Sequence, residues 1–197
     1  MRNLSLLLLA LLSLNARASF LIEPYAGYGM GSVQRTLLSG TAGSASVSGF
    51  AYGGRAGFVA SHLAILAADY QGMSGKEKVD TAAKPNGWRQ SALYVDMGFQ
   101  TTMGFRMLAG YAFNSELVES GTPDVRYKGT AYKIVLGWIL PDDIALNAEY
   151  AVHRMSTIES GGATLTVKDT YSKFEYAAGM VTLSLPITFF GTSGHGR

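Results

Sequence analysis

The chain has no cysteine among its 197 residues and only 5 prolines. The missing thiols exclude a disulfide framework, thiolate metal sites, a cysteine nucleophile and a cysteine-anchored lipoprotein. Charge is scarce too, at 15% of residues against 48% apolar and 11% aromatic. Disorder needs the reverse balance. The formal net charge of +2 comes from 16 Lys and Arg against 14 Asp and Glu; setting aside Arg2 and Arg17 leaves 14 of each sign. Nucleic-acid binding needs a concentrated basic face, which this composition does not supply. After Leu14, charges or glycines interrupt every apolar run well short of the roughly 20 residues of a membrane-spanning helix.

What is present begins with an address. Arg2 supplies a positive start, and Leu4 to Leu14 is an eleven-residue apolar stretch broken only by Ser5 and Ser13. Ala16-Arg17-Ala18 then places small residues at the two positions a signal peptidase reads. Residues 1–18 therefore read as a secretory signal peptide cleaved between Ala18 and Ser19. The mature chain would run from Ser19 to Arg197, outside the cytoplasm.

Beyond it the apolar pattern has period two, the repeat of strands. In Gly104–Asn114, Phe105, Met107, Ala109, Tyr111 and Phe113 alternate with small or polar residues, Leu108 excepted. Ser91–Thr101 and Ile144–His153 alternate likewise, as do Phe50–Ala60 and Tyr132–Leu140. Phe20–Gln34, Leu63–Gly72 and Phe174–Phe190 follow less regularly, which makes eight strands. Three connections are tight: Ser61-His62, Thr101-Thr102-Met103 and Pro141-Asp142-Asp143. Four are longer and polar: Arg35–Gly49, Met73–Gln90, Ser115–Arg126 and Thr157–Lys173. Short turns at one end and long loops at the other are the plan of an all-β, eight-stranded antiparallel up-and-down transmembrane β-barrel. The outward face carries Phe, Leu, Ile, Met and Tyr; the inward face carries Gly, Ala and ionisable groups. Outward aromatics also sort by height, with Tyr28, Phe50, Tyr70 and Tyr132 toward the long loops. Phe20, Phe58, Phe99 and Trp138 lie toward the short turns, as two interfacial girdles require.

Each tight hairpin is expected to carry an acid opposite a base on its inner face, a favourable cross-strand arrangement. These are Arg55 with Asp69, Asp96 with Arg106, and Lys133 with Glu149. Glu23 is an extra acid with no assigned base. An eight-stranded interior is just wide enough for side chains to fill, so such pairs predict a largely plugged lumen.

The signal peptide, the opening strand Ile22-Glu23-Pro24-Tyr25-Ala26-Gly27-Tyr28-Gly29, the eight amphipathic strands and an aromatic-rich last strand resemble small Gram-negative outer-membrane barrels of the OmpA/OmpX/opacity type. The resemblance covers residues 19–190 and implies location in the outer membrane. It implies insertion by the barrel-assembly machinery, normally signalled by a terminal aromatic. Here Phe189-Phe190 precedes a short tail, Gly191–Arg197.

Chemistry inside the wall is not expected. His153 is the best candidate base, yet Glu149 lies about 13 Å away on the same face at strand spacing, and Ser156 falls on the opposite face. His62 and His195 are isolated, and no metal or cofactor site is expected. Gly27, Gly29 and Gly31 lack the helix that a nucleotide-binding glycine pattern precedes. Asp142-Asp143 reads as turn chemistry. The expected function is thus non-catalytic: a monomeric barrel contacting outer-membrane lipid and lipopolysaccharide, with long extracellular loops for a surface ligand or for envelope stability. The alternatives are a narrow, porin-like channel or hydrophobic-solute conduit and, third, a lipid A-modifying enzyme.

Overall fold

The computed structural model describes residues 18–60, 64–79, 86–121 and 123–190. The signal peptide, the turn at Ser61-His62 and the tail Gly191–Arg197 lie outside the described residues, and Ala18 itself already pairs with Ala60. Strands β1 (Ala18–Leu37), β2 (Ala42–Ala60), β3 (Ala64–Val79), β4 (Asn86–Gln100), β5 (Phe105–Glu119), β6 (Val125–Ile139) and β7 (Ala145–Ser160) follow as an antiparallel meander. Then come β8 (Ala163–Thr166), a helical turn α1 (Val167–Thr170), β9 (Tyr171–Ser184) and β10 (Ile187–Phe190). Strand β9 pairs with both β7 and β1, which closes the barrel. After Leu185-Pro186, β10 resumes the same register on β1. The ten strands therefore make eight wall positions, with β9 and β10 sharing the eighth and β8 folded against the far end of β7.

Closure matters because a spanning strand has no water to satisfy its backbone, so only a sheet without edges crosses a membrane. Along β1, Phe20 and Tyr28 mark the two girdles and bound a nine-residue segment, the length that a tilted spanning strand needs. Between them Ile22 is exposed outward while Leu21, Glu23 and Tyr25 are buried inward. Ring contacts tie each girdle, Phe20–Phe58 and Phe105–Trp138 at one end, Tyr111–Phe113 and Tyr111–Tyr132 at the other. Among the described residues no helix is long and apolar enough to cross a membrane.

The tight turns have the chemistry their backbones demand. Gly104 takes φ +84° and donates to the Thr101 carbonyl at 3.0 Å, and Asp143 sits at φ 57°. Aspartate tolerates that left-handed region better than most side chains.

The four long connections are a correction. Arg35–Gly49 is not a flexible loop: Thr36 pairs with Ala42 and Gln34 with Ser44, leaving only residues 38–41 unpaired in strand. Strands β3 and β4 stay paired to Glu77 and Asn86, and β5 and β6 to Glu119 and Val125. The wall thus continues beyond the upper girdle as a strand-paired crown. The physical reason is an inversion of the alternation. In the membrane band apolar residues face out; in the crown Ser44, Ser46, Lys76 and Lys78 face out while Val33, Val47 and Met73 are buried inside. Water has replaced lipid, so the crown is patterned like a soluble barrel. In sequence, a Ser/Gly/Ala-rich stretch with its few apolar residues turned inward has the composition of a loop.

Candidate functional site

The barrel interior is layered. At the short-turn end Leu21, Val59, Ile65, Ala67, Leu108 and Val135 form an apolar plate. In the crown a larger apolar core gathers Val33, Val47, Met73, Trp88, Leu117 and Tyr176, and α1 sets Val167 into it. Between and beside these plates lies a polar zone, and Glu77 and Gln90 are buried in the crown as well.

That zone holds three cations and four carboxylates, all buried: Arg55, Arg106, Lys133, Glu23, Asp69, Asp96 and Glu149. The first hairpin places Arg55 opposite Asp69, with Nε donating to Oδ2 at 2.8 Å. The other two expected pairs are corrected. Asp96 stands opposite Gly110 and Arg106 opposite Gln100, while Lys133 faces Ala151 and Glu149 faces Val135. The registers differ from those expected by four and by two residues. An even slip keeps every side chain on its own face, so alternation alone does not detect it.

The charges meet across the lumen instead. Arg55 Nη2 donates to Glu149 Oε1 at 2.9 Å and Nη1 to Glu23 Oε1 at 3.3 Å. Arg106 Nη1 donates to Glu23 Oε2 at 2.8 Å, and its Nε to Asn147 Oδ1 at 3.1 Å. Glu23, which had no assigned base, faces Arg55 in the ladder and bridges both arginines. Lys133 binds Asp69 directly, lies 3.1 Å from Asp96 and rests over the Tyr94 ring. Tyr25 donates its hydroxyl to Asp69 at 2.8 Å, and its ring lies under the Arg55 guanidinium. Gln71 and Thr182 complete Glu149 at 2.9 and 3.0 Å. Every wall position contributes at least one side chain. Buried ions are tolerable only with this density of partners. Room for the long side chains comes from inward glycines: a Cβ on Gly110 would stand 2.2 Å from Asp96 Oδ1, and one on Gly137 2.4 Å from Asn147 Oδ1. Gly29 likewise makes room for Met73 and Met180, which accounts for one of the three glycines singled out in the first strand.

Ser156 faces outward and donates to the Lys128 carbonyl at 3.2 Å. His153 turns inward, stacks on Tyr176 and meets Ser115, with Nδ1 to Oγ at 2.7 Å. Sequence reading missed Ser115 because an irregularity in the β5–β6 ladder between Ala112 and Ser115 breaks the alternation, with Phe113 and Asn114 both exposed. The pair is sealed inside the wall, with both residues at most 1% exposed.

Where the crown meets solvent, Arg35 holds two carboxylates, Glu77 at 2.9 Å and Glu119 in direct contact. Burial pushes the Glu119 carboxyl up to about 7, Arg35 pulls it partly back, and Glu77 raises it further. A folded value above the unfolded one contributes stability that is present below the ordinary glutamate range and lost as pH rises through about 7. Amide exchange in the 115–119 segment, corrected for intrinsic rate, should therefore be slower at pH 5 than at pH 8, and Glu119→Gln should remove the difference. Equal protection at both pH values would contradict this coupling.

No protein-family model matches the chain, and no curated protein sequence does. Solved structures do. Neisserial surface protein A superposes with TM-score 0.51 at 13% identity, covering 85% of this chain and 97% of that one. Ail, the attachment invasion locus protein of Yersinia pestis, gives 0.52 at 8%, covering 87% and 99%. The fold is that of a small outer-membrane β-barrel. OprG from Pseudomonas aeruginosa agrees, with TM-score 0.50 at 9% identity over 88% of this chain and 98% of its own. With the lipid-matched apolar band and the closed wall, the chain is an integral β-barrel of the Gram-negative outer membrane.

Proposed function

We propose that this outer-membrane barrel is a non-conducting, non-catalytic scaffold whose crown serves surface contact or envelope stability. One observation carries the reading: the ionic layer draws on every wall position, with apolar clusters packed beside it. Such an interior offers ions no continuous polar path. It also argues against the narrow channel and the solute conduit. The sealed Ser115–His153 pair argues against lipid A chemistry. In barrels of this plan the short turns are periplasmic, which would put the crown outside the cell. The crown is a stiff, strand-built rim rather than a set of flexible loops, so the contact surface would be preformed. Ail, attachment invasion protein by name, is a structural neighbour in keeping with surface contact. Pairing of β9 on both sides over Tyr176–Ser184 closes the sheet there, which favours a monomer.

The test is electrical. Purified protein in a planar lipid bilayer is expected to give no discrete conductance steps in molar salt. Regular single-channel openings of the wild-type barrel would overturn the plugged reading and restore the channel.

A further inference from the structure

On the strands of the crown, the described outward basic residues fall into two classes. On β6, β7 and β9 they are satisfied: Arg126 by Glu116 at 3.5 Å, Lys128 by Glu159 at 2.8 Å, Lys173 by Glu175 at 3.1 Å, and Arg154 by the Tyr132 ring. On β3 and β4 they are not. Lys76, Lys78 and Arg89 are exposed, and no described carboxylate lies within 4 Å of any of them. Glu77, between the two lysines, points inward to Arg35. Ser74 pairs with Arg89 and Lys76 with Gly87, which makes Lys76 and Arg89 diagonal neighbours about 7–8 Å apart. Like charges grouped this way repel one another unless an anion lies between them.

Their height and surroundings specify the anion. Ser74 stands opposite Phe50 of the upper girdle and Lys76 opposite Ser48, so Lys76 is about 7 Å farther along the strand than the girdle. Beside the lysines runs an outer-surface groove of about 800 Å³ whose floor is Ser32, Ser46, Ser48, Ala177 and Gly179. Its membrane-side rim is Tyr28, Met30 and Tyr150, all exposed on the lipid-facing surface. Cations above, small polar floor and apolar rim below match a headgroup phosphate, a sugar and hydrocarbon in that order.

We propose that this groove binds a phosphorylated glycolipid of the outer leaflet. Its phosphate lies between Lys76 and Lys78 with Arg89 alongside, and its acyl chains descend past Tyr28 and Met30. The assignment rests on the membrane reading of the barrel and is independent of whether the lumen conducts.

The test uses the mature chain refolded into detergent micelles and vesicles, with bisphosphorylated lipid A, the same lipid dephosphorylated, and inorganic phosphate as probes. Lys76→Gln/Lys78→Gln is compared with Lys128→Gln/Lys173→Gln, an equal charge loss elsewhere on the crown. Lipid retained per folded barrel is read by native mass spectrometry. The expected result is about tenfold tighter retention of lipid A than of its dephosphorylated form. The groove variant should lose that margin, the control should keep it, and millimolar phosphate should not displace the lipid. Equal retention by the groove variant would overturn the site. Displacement by phosphate alone would overturn the lipid assignment in favour of a free-anion site. Folding is scored first by the gel shift between unheated and boiled protein inserted in vesicles. Failure of insertion overturns the membrane reading and this proposal together; insertion without phosphate-dependent retention overturns the groove alone.

Discussion

Arg55→Met should destabilise the barrel by about 3–5 kcal/mol, the scale for removing one member of a buried ionic network. The effect is not shared evenly among its partners. Asp69 keeps Lys133 and the Tyr25 hydroxyl, and Glu23 keeps Arg106. Among the described residues, Glu149 loses its only cation and retains Gln71 and Thr182. The variant should unfold at markedly lower urea in lipid vesicles, and Arg55→Lys should recover part of the loss by restoring charge without the fork. Unchanged unfolding of Arg55→Met would show that the charges are solvated individually by lumen water.

Trp88→Ala should cost a similar amount, about 3–5 kcal/mol for an aromatic truncated in a core, but in a different place. Trp88 is 2% exposed and packs edge-on against Tyr176 at 5.4 Å within the crown core. The crown stands beyond the girdles and is held by water-driven apolar burial, whereas the membrane band is held by lipid and by backbone closure. The variant should therefore lose protease resistance in residues 30–48 and 115–130 while the unheated, folded gel band persists. Trp88→Phe, which keeps most of the volume, should cost less than about 1.5 kcal/mol. Loss of the folded band altogether would show that crown and membrane band fold as one unit.

The contrast between these two regions explains what the sequence disclosed. Strand count, closure class and the facing of residues in the membrane band were legible because large outward residues such as Phe58 and Leu136 alternate with small or ionic inward ones. That parity put all six expected charges, from Arg55 to Glu149, in the interior. It did not say which met which, because even register slips preserve parity. The turn settles the register: Thr101 donates to the Phe105 carbonyl at 2.7 Å, and Gln100 is thereby set opposite Arg106. Pairing within the tight hairpins gives Glu23 no base, because its two arginines come from β2 and β5. The crown was misread for a different reason. Ala45-Ser46-Val47-Ser48 alternates as cleanly as any spanning segment, but with its faces exchanged and its side chains small. Ser115 was hidden by the local break in the β5–β6 ladder that follows Ala112.

Opposite walls are tied through the lumen, and the Arg55–Glu149 contact carries the tie from β2 to β7. A double-mutant cycle on these two residues tests it most directly, with Arg55→Met, Glu149→Gln and the double variant unfolded in urea in lipid vesicles. The network predicts strong coupling, with the double variant more stable than the summed single losses require by about 1–3 kcal/mol. Additivity within about 0.5 kcal/mol would mean that the two side chains do not meet, and would contradict the filled interior on which the proposed function rests.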